Sequence, residues 1–343
     1  MKKVVIIGGG FAGAYSAINL ENHFDITLID TKDYFEFTPG VLRCIVEPEH
    51  AEKIQSLHKN YLKKSKIVVG KVIDIRDRKV ITYKDKIPFD YLIICSGSSY
   101  NAPFKEKNIV IGTRGKNLIE SYKRVKDADH ILIIGGGLVG VEIASEIMEK
   151  YPEKQMTIVH SQESLIQRNP IKAIRHAEDY FRNHNVELIK NERVIRKDGK
   201  YYITDKGSKI YADLAFLSTG ISPNFEFLRK NYGHCLSEKN FLKVNDFLQL
   251  EGEKDIFAAG DIAEIREEKT AQNAEYHARV VVENIRRSEK GKELMKYKKA
   301  ARVMVISLGK NDGILTYKKG VLTGIIPGIL KSIVEWKEMR RFR

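Results

Sequence analysis

A chain of 343 residues and 39.2 kDa has room for two or three domains with sizeable cores. Apolar residues at 43% and charged residues at 30% exclude a disordered chain, a collagen repeat and a disulfide-stapled scaffold. The unusual quantity is charge: 59 Lys and Arg against 45 Asp and Glu leave +14, which points to an acidic partner such as nucleic acid, an anionic membrane or a polyanionic cofactor. Cys44, Cys95 and Cys235 form no CxxC pair, so redox-dithiol and structural-zinc sites fail on spacing and no metal is expected. The first residues carry neither a signal-peptide pattern nor a myristoylation signal. No apolar run reaches the roughly 18 residues of a membrane span. The expected location is cytoplasmic, or peripheral on the cytoplasmic face of a membrane.

In chain order, residues 3–13 read KVVIIGGGFAG, an apolar strand running into glycines and then a helix. Gly8 permits a tight turn, Gly10 lets backbone approach a pyrophosphate, and Gly13 permits close helix–strand packing. The loop residues Gly8, Gly9, Gly10, Phe11, Ala12 and Gly13 thus form a dinucleotide cradle at a helix N-terminus. Asp30, at the end of the next strand, can accept from ribose hydroxyls. Residues 66–82 read as a β-meander with a turn at Asp77-Arg78, and YLIICSG at 91–97 as a strand ending in Ser96-Gly97.

The design then repeats. Residues 130–140 read HILIIGGGLVG, 127 positions after the first copy. Gly135, Gly137, Leu138, Val139 and Gly140 form a second dinucleotide loop. Its second strand ends in His160-Ser161 rather than a carboxylate, so nothing there repels a 2′-phosphate and NADPH is expected to be accepted alongside NADH. A second meander, 186–203, turns at Lys197-Asp198-Gly199, and LAFLSTG at 214–220 ends in Gly220. Phe257-Ala258-Ala259-Gly260-Asp261 is a strand with a sharp turn that presents one carboxylate to a polyol chain, here the flavin ribityl. A helix is predicted from about Thr270.

Two loops and a late Gly-Asp element match the order of two-dinucleotide flavoproteins. The expected fold is α/β, with two Rossmann-like dinucleotide-binding domains, the FAD domain interrupted by the NAD(P) domain, plus a small α+β C-terminal domain. The expected boundaries are 1–112 with 246–300 for FAD, 113–245 for NAD(P)H, and 301–343 for the C-terminal domain.

Residues 135–163, SLGKNDGI at 307–314 and the terminal Trp336-Lys337-x-Met339-Arg340 pattern resemble the ferroptosis-suppressor family of apoptosis-inducing-factor-like mitochondrion-associated flavoproteins. TAQNAEYHA at 270–278 lies between that family's version and the AQxAxQ helix of type II NADH dehydrogenases. The resemblance implies an oxidoreductase that takes electrons from NAD(P)H through FAD to a quinone. It places Arg43 on FAD, Val72 at the adenine, Glu142 near flavin and nicotinamide, and Lys269 near the active site. On the same helix Gln272 and Tyr276 stand at the quinone, Tyr276 replacing the motif's second glutamine. His277, one turn beyond Asn273, could donate to a quinone oxygen or simply pack. The family's N-terminal lipid signal is missing, so membrane contact must arise elsewhere.

In the tail, 321–343, a helix is predicted from Pro327, with Ile329, Leu330, Ile333, Val334 and Trp336 on one stripe and Lys331 and Glu335 opposite. The stripe suits either an anionic membrane surface or burial on the protein or in a homodimer. The last 58 residues hold 16 Lys and Arg against 5 acids, a net +11, leaving +3 for residues 1–285. No helix-turn-helix or zinc motif supports base readout, so nucleic acid is set aside. Reduction of a ferredoxin- or rubredoxin-like carrier, and a flavin-loaded sensor without turnover, are the alternatives to a small-molecule acceptor.

Overall fold

The computed structural model describes residues 1–100, 109–111 and 118–343. Its frame is a pair of five-stranded parallel sheets of the same plan. The first uses β1 (Lys3–Ile7), β2 (Asp25–Asp30), β3 (Lys66–Val69), β4 (Tyr91–Ile94) and, far later, β10 (Ile256–Ala258), in the order β10-β4-β1-β2-β3. The second uses β5 (Ile109–Ile111), β6 (His130–Ile134), β7 (Gln155–His160), β8 (Glu187–Lys190) and β9 (Leu214–Leu217), in the order β5-β9-β6-β7-β8. Strands β4 and β9 are buried at every residue, as parallel strands covered on both faces must be.

Helix α1 (Phe11–Leu20) follows β1, and α2 (Leu138–Lys150) follows β6. Helix α3 (Ile171–Asn183) packs on β8, while α4 (Ala271–Glu289) lies along α1. Thr270 caps α4, its hydroxyl accepting from the Asn273 N–H at 3.2 Å. Strands β11 (Val303–Ser307), β12 (Gly313–Tyr317) and β13 (Gly320–Thr323) form an antiparallel sheet, and α5 (Ile325–Met339) ends the chain against it.

Several expectations shift. Residues 66–69 and 187–190 are parallel edge strands of the two large sheets, and the antiparallel meanders start after them, at Val72 and Val194. The Asp77-Arg78 turn has positive φ at both residues (49° and 53°), the twist that a tight hairpin needs. Upstream of the boundary expected at 245, Ser98–Tyr100 pairs with Ile221–Pro223 as an antiparallel ribbon. Beyond that ribbon Phe225, Leu228, Cys235, Leu242 and Leu250 pack with Val5, Ile7 and Leu92 of the first sheet. The expected 112/113 boundary lies outside the described residues. The last segment is a layer rather than a separate unit, because Ile306, Ile314, Met339 and Phe342 share one core with α1 and α2.

Helix α5 starts at Ile325, two residues before Pro327. The chain end is plugged into the first sheet's flank. Phe342 is 2% exposed and stacks on Phe35 at 3.8 Å between ring centroids, and Phe35 meets Phe11 of α1 edge-on at 5.2 Å. We predict that Phe342→Ala costs about 3–5 kcal/mol of stability, read from urea unfolding. A loss below 1 kcal/mol would mean the plug is not part of the folded core.

Candidate functional site

The first glycine loop is shaped by close approaches of backbone. A Cβ on Gly8 (φ +98°) would lie 2.2 Å from the Cys95 carbonyl, and one on Gly13 would lie 1.8 Å from the Gly8 carbonyl. A Cβ on Gly10 would meet nothing within 4 Å. That open space at the start of α1 is where a pyrophosphate can reach unpaired N–H groups. The Gly-Asp element closes on the same loop: a Cβ on Gly260 (φ +79°) would lie 3.6 Å from Ala12 and 3.5 Å from Ala274. Gly8 to Gly13, Gly260 and Asp261 are thus brought together.

Asp30 reaches the loop as well. Its carboxylate accepts from the Gly9 N–H at 2.7 Å and the Lys32 N–H at 3.2 Å, and lies 3.5 Å from His58 Nε2. Burial pushes its pKa up, but the His58 hydrogen bond and charge and the two N–H donors outweigh burial and hold it below the usual range. Tyr61 in turn contacts His58 Nδ1 at 2.5 Å. Val72 opens the first meander, two residues after Gly70, whose N–H donates to the Asp30 carbonyl. The Ser96 hydroxyl donates to the Asn224 carbonyl at 2.8 Å, and Gly97 takes φ +67°. One Asp261 oxygen accepts from the Ser98 hydroxyl at 2.6 Å.

The second loop repeats the geometry. A Cβ on Gly135 (φ +109°) would lie 2.5 Å from the Ser218 carbonyl, one on Gly140 would lie 1.9 Å from the Gly135 carbonyl, and one on Gly137 would face open space. Leu138 and Val139 begin α2 half-buried. His160 stands where Asp30 stands in the first unit, its Nδ1 accepting from the Gly136 N–H at 3.1 Å. Burial lowers its pKa, outweighing the opposing charge of Glu178, and keeps the ring neutral. His160 Nε2 and Ser218 Oγ are buried without a protein partner, which is what a site awaiting a polar ligand looks like. Ser161 and Gly220 (φ +122°) are exposed at the rim. These cradles fit two dinucleotides.

Other expected site residues are more committed. Arg43 Nε and Nη2 both pair with buried Glu146 at 3.3 Å, so the guanidinium expected on FAD ties the first unit to α2. Glu142 is held by Lys331 Nζ at 2.7 Å and by the Ser307 N–H at 3.3 Å. Lys269 Nζ donates to the carbonyls of Ala263 at 2.5 Å and Ile265 at 3.5 Å. Burial lowers its pKa against the raising charges of Asp261, Glu267 and Glu264. His277 is fully engaged: Nδ1 accepts from the Gly260 N–H at 3.1 Å and Nε2 meets Glu267 at 2.6 Å, with Tyr297 on the same carboxylate at 3.0 Å. It has no N–H left for a quinone and instead braces the Gly260-Asp261 turn. Gln272 and Tyr276 share an exposed face of α4, the Arg279 guanidinium lying 5.5 Å from the Tyr276 ring. His58, Tyr61, Ser98, Glu267 and Lys331 escape sequence reasoning, because each is a lone polar residue whose partner is set by folding alone.

The three cysteines are free and buried, and burial pushes Cys44 up to about 12, so none is a ready thiolate. No cluster of metal ligands is present among the described residues.

Fold and site together define an FAD-dependent NAD(P)H oxidoreductase. The family model for pyridine nucleotide-disulphide oxidoreductases matches residues 2–278. Apoptosis-inducing factor homolog B of Dictyostelium discoideum is 35% identical over 91% of this chain and 89% of its own. Ferroptosis suppressor protein 1 of Homo sapiens is 33% identical over 98% and 96%. The chain belongs to the pyridine nucleotide-disulphide oxidoreductases and, within them, to the family of these two proteins. Its fold is shared with a sulfide:quinone oxidoreductase of Aquifex aeolicus, at TM-score 0.88 and 22% identity over 100% of this chain and 92% of that one. It is shared equally with NDH2 of Plasmodium falciparum, solved with NADH, at TM-score 0.86 and 17% identity over 99% and 96%.

Two predictions follow from the cradles. Because a Cβ at Gly10 or Gly137 meets open space, alanine at either leaves the fold intact. Gly10→Ala is expected to purify with little FAD, and Gly137→Ala to keep FAD while its KM for NADH rises by about tenfold or more. Normal FAD content and unchanged KM would show that the loops do not hold the pyrophosphates. Second, the lowered Asp30 pKa stabilises the fold above the ordinary carboxylate range, and that contribution is lost as pH falls through the lowered value. Asp30→Asn should therefore flatten the acid limb of Tm against pH in the FAD-free protein. An acid limb parallel to wild type would contradict this.

Proposed function

We propose that this flavoprotein passes electrons from NAD(P)H to a quinone held at an anionic membrane surface, with α5 as the element that meets the lipid. The observation that carries the reading is the orientation of α5. Ile325 (63% exposed), Ile326 (67%), Ile329 (49%), Ile333 (52%) and Trp336 (61%) face outward. Two charged residues between them face inward, Lys331 meeting Glu142 at 2.7 Å and Glu335 meeting His50 at 3.1 Å, while Lys337 lies exposed at the last turn. A helix that turns its apolar face to solvent and these two charges to the core is suited to a lipid interface or to a second copy of the chain. Exposed Arg340 and Arg343 follow at its end and favour the anionic surface, Arg341 between them being paired with Glu275 and Glu338. No helix among the described residues is long and apolar enough to cross a membrane, which leaves a peripheral contact. The quinone acceptor is supported by the fold shared with a sulfide:quinone oxidoreductase.

FAD, when bound, accepts hydride from NAD(P)H and gives up electrons to the acceptor. The protein's part is binding and charge. The two glycine loops seat the pyrophosphates, and Asp261, steadied by Ser98, receives the ribityl hydroxyls. Glu142, fixed on α2 by Ser307 and Lys331, would orient the nicotinamide. Lys269, clamped by two carbonyls, would supply positive charge near the Asp261 turn when flavin is bound. His160, neutral and carrying its proton on Nε2, tolerates NADPH as well as NADH.

Deleting the tail cannot test the membrane role, because it would also remove the buried Met339 and Phe342. Outward substitutions can. NADH oxidation is measured with a short-chain soluble quinone, a long-chain quinone in anionic vesicles, and a ferredoxin. Wild type should reduce both quinones and not the ferredoxin. Ile329→Glu with Ile333→Glu should spare the soluble quinone and slow the vesicle reaction by about tenfold or more. Turnover with ferredoxin alone would overturn the quinone reading, and an unimpaired vesicle rate would overturn the membrane reading.

A further inference from the structure

One concave feature lies away from both glycine loops. It is a cleft of about 770 Å³ between the start of β1 and the last turns of α4, lined by Lys2, His23, Arg286, Arg287, Lys290 and Lys292, with Glu283 and Glu289. Its floor includes buried Phe24, which meets Tyr91 edge-on at 6.5 Å. The volume falls within the ordinary range for small-ligand sites. From the structure we infer that this cleft binds a compact polyphosphate group, such as a nucleoside polyphosphate or a multiply phosphorylated inositol ring.

The charge balance carries the argument. Five Lys and Arg meet two carboxylates, an excess of three positive charges. The carboxylates are already spent: Glu283 pairs with Arg287 Nε at 2.7 Å, and Glu289 accepts from the Tyr91 hydroxyl at 2.8 Å. Neither Lys290 nor Lys292 has a carboxylate within ion-pair distance among the described residues. Arg286 Nη2 donates to the Asn19 carbonyl, but its Nε is buried with no protein acceptor. Such an unpaired donor costs free energy that an anionic ligand would recover.

Cations at a helix C-terminus also complement its dipole. That accounts for Arg286 and Arg287 in the last turn of α4, but not for the two lysines beyond it. There the chain folds back: Gly291 takes φ +60°, and the N–H groups of Lys290 and Lys292 both donate to the Arg287 carbonyl, at 3.0 and 2.9 Å. This reversal brings both free ammonium groups to one cleft. The basic run continues, with eight Lys and Arg against two Glu over residues 286–302. Singly phosphorylated ligands would leave most of this charge unmatched, whereas three or more clustered phosphates would match it. The inference stands apart from the quinone reading, since the cleft lies at the opposite end of β1 from Gly8.

The test uses the full-length flavoprotein with saturating NAD⁺, so that both glycine loops are filled. Titration calorimetry compares orthophosphate, tripolyphosphate and inositol hexakisphosphate. Tripolyphosphate should bind about tenfold or more tightly than orthophosphate, and Lys290→Glu with Lys292→Glu should remove that advantage while bound flavin and NADH oxidation stay unchanged. The single Lys292→Glu variant, judged by retained flavin, serves if the double variant misfolds. Lys318→Glu with Lys319→Glu, an equal charge change on exposed residues elsewhere, should leave binding within about twofold. Equal losses in the two double variants, or no preference for tripolyphosphate, would overturn the site. Vesicles carrying phosphatidylinositol bisphosphate separate the sources. Recruitment blocked by inositol hexakisphosphate assigns the cleft to a lipid headgroup, and soluble binding without recruitment assigns it to a free polyphosphate.

Discussion

Two contacts too close for any side chain govern the redox half of this molecule. Gly13 and Gly140 each sit so near the carbonyl of the first loop glycine that a Cβ would stand under 2 Å from it. Gly8 and Gly135 likewise press on the carbonyls of Cys95 and Ser218, which end β4 and β9. Those neighbours belong to strands that pair with β1 and β6 only when the central sheet has formed. The pyrophosphate cradles are therefore products of the sheets rather than of the loops. The same dependence draws in the late Gly260-Asp261 turn, since β10 pairs with β4 and delivers that turn against Ala12. A residue more than two hundred positions downstream completes a site begun in the first ten.

The tail is constrained by a different force. Burying Lys331 and Glu335 is tolerable only because each meets an opposite or hydrogen-bonding partner, Glu142 and His50 respectively. These pairs fix the rotation of α5 about its axis, and that rotation leaves six large apolar side chains in water. The hydrophobic effect alone would have turned the helix over. The plug of Met339 and Phe342 and the His176–Asp312 contact at 2.8 Å hold the surrounding layer in place. The outward face is thus imposed by specific polar contacts, which is the pattern of an interaction surface rather than of a poorly packed helix. Glu142 links this arrangement to the nucleotide side, because this residue of α2 accepts from Lys331 of α5 and from the Ser307 N–H of β11.

Local patterns made much of this legible beforehand. Strand, glycine turn and helix occur twice within a dozen residues each, and all their constraints are short-range, so both cradles and the helix start near Thr270 could be read directly. Edge strands could not. Lys66–Val69 and Glu187–Lys190 are each followed by a real meander, and only the sheet decides that they pair in parallel with β2 and β7. The packing of Phe225 to Leu250 on the first sheet was hidden for the same reason, since that stretch carries no motif. His277 and Arg43 show the limit for side chains. Both lie where a functional helix or loop was expected, and nothing local shows that Glu267 and Glu146 bond to them. The inward turn of Lys331 and Glu335 was invisible because an apolar stripe specifies a face without specifying which way that face points.

One substitution separates the two nucleotide units electrostatically. Asp30 and His160 end equivalent strands and perform the same backbone task, accepting the N–H of the second loop glycine at 2.7 and 3.1 Å. Their charges differ: hydrogen bonds and His58 keep Asp30 anionic, while burial keeps His160 neutral. An anion at that place repels a phosphate on the adenosine ribose by Coulomb force in a site largely shielded from water. A neutral ring accepting at Nδ1 must carry its proton on Nε2, and that atom is buried without a protein partner. It offers a donor where Asp30 offers an acceptor. The two cradles share their backbone geometry, and the residue at the strand end is where they differ in charge and in hydrogen-bonding sense.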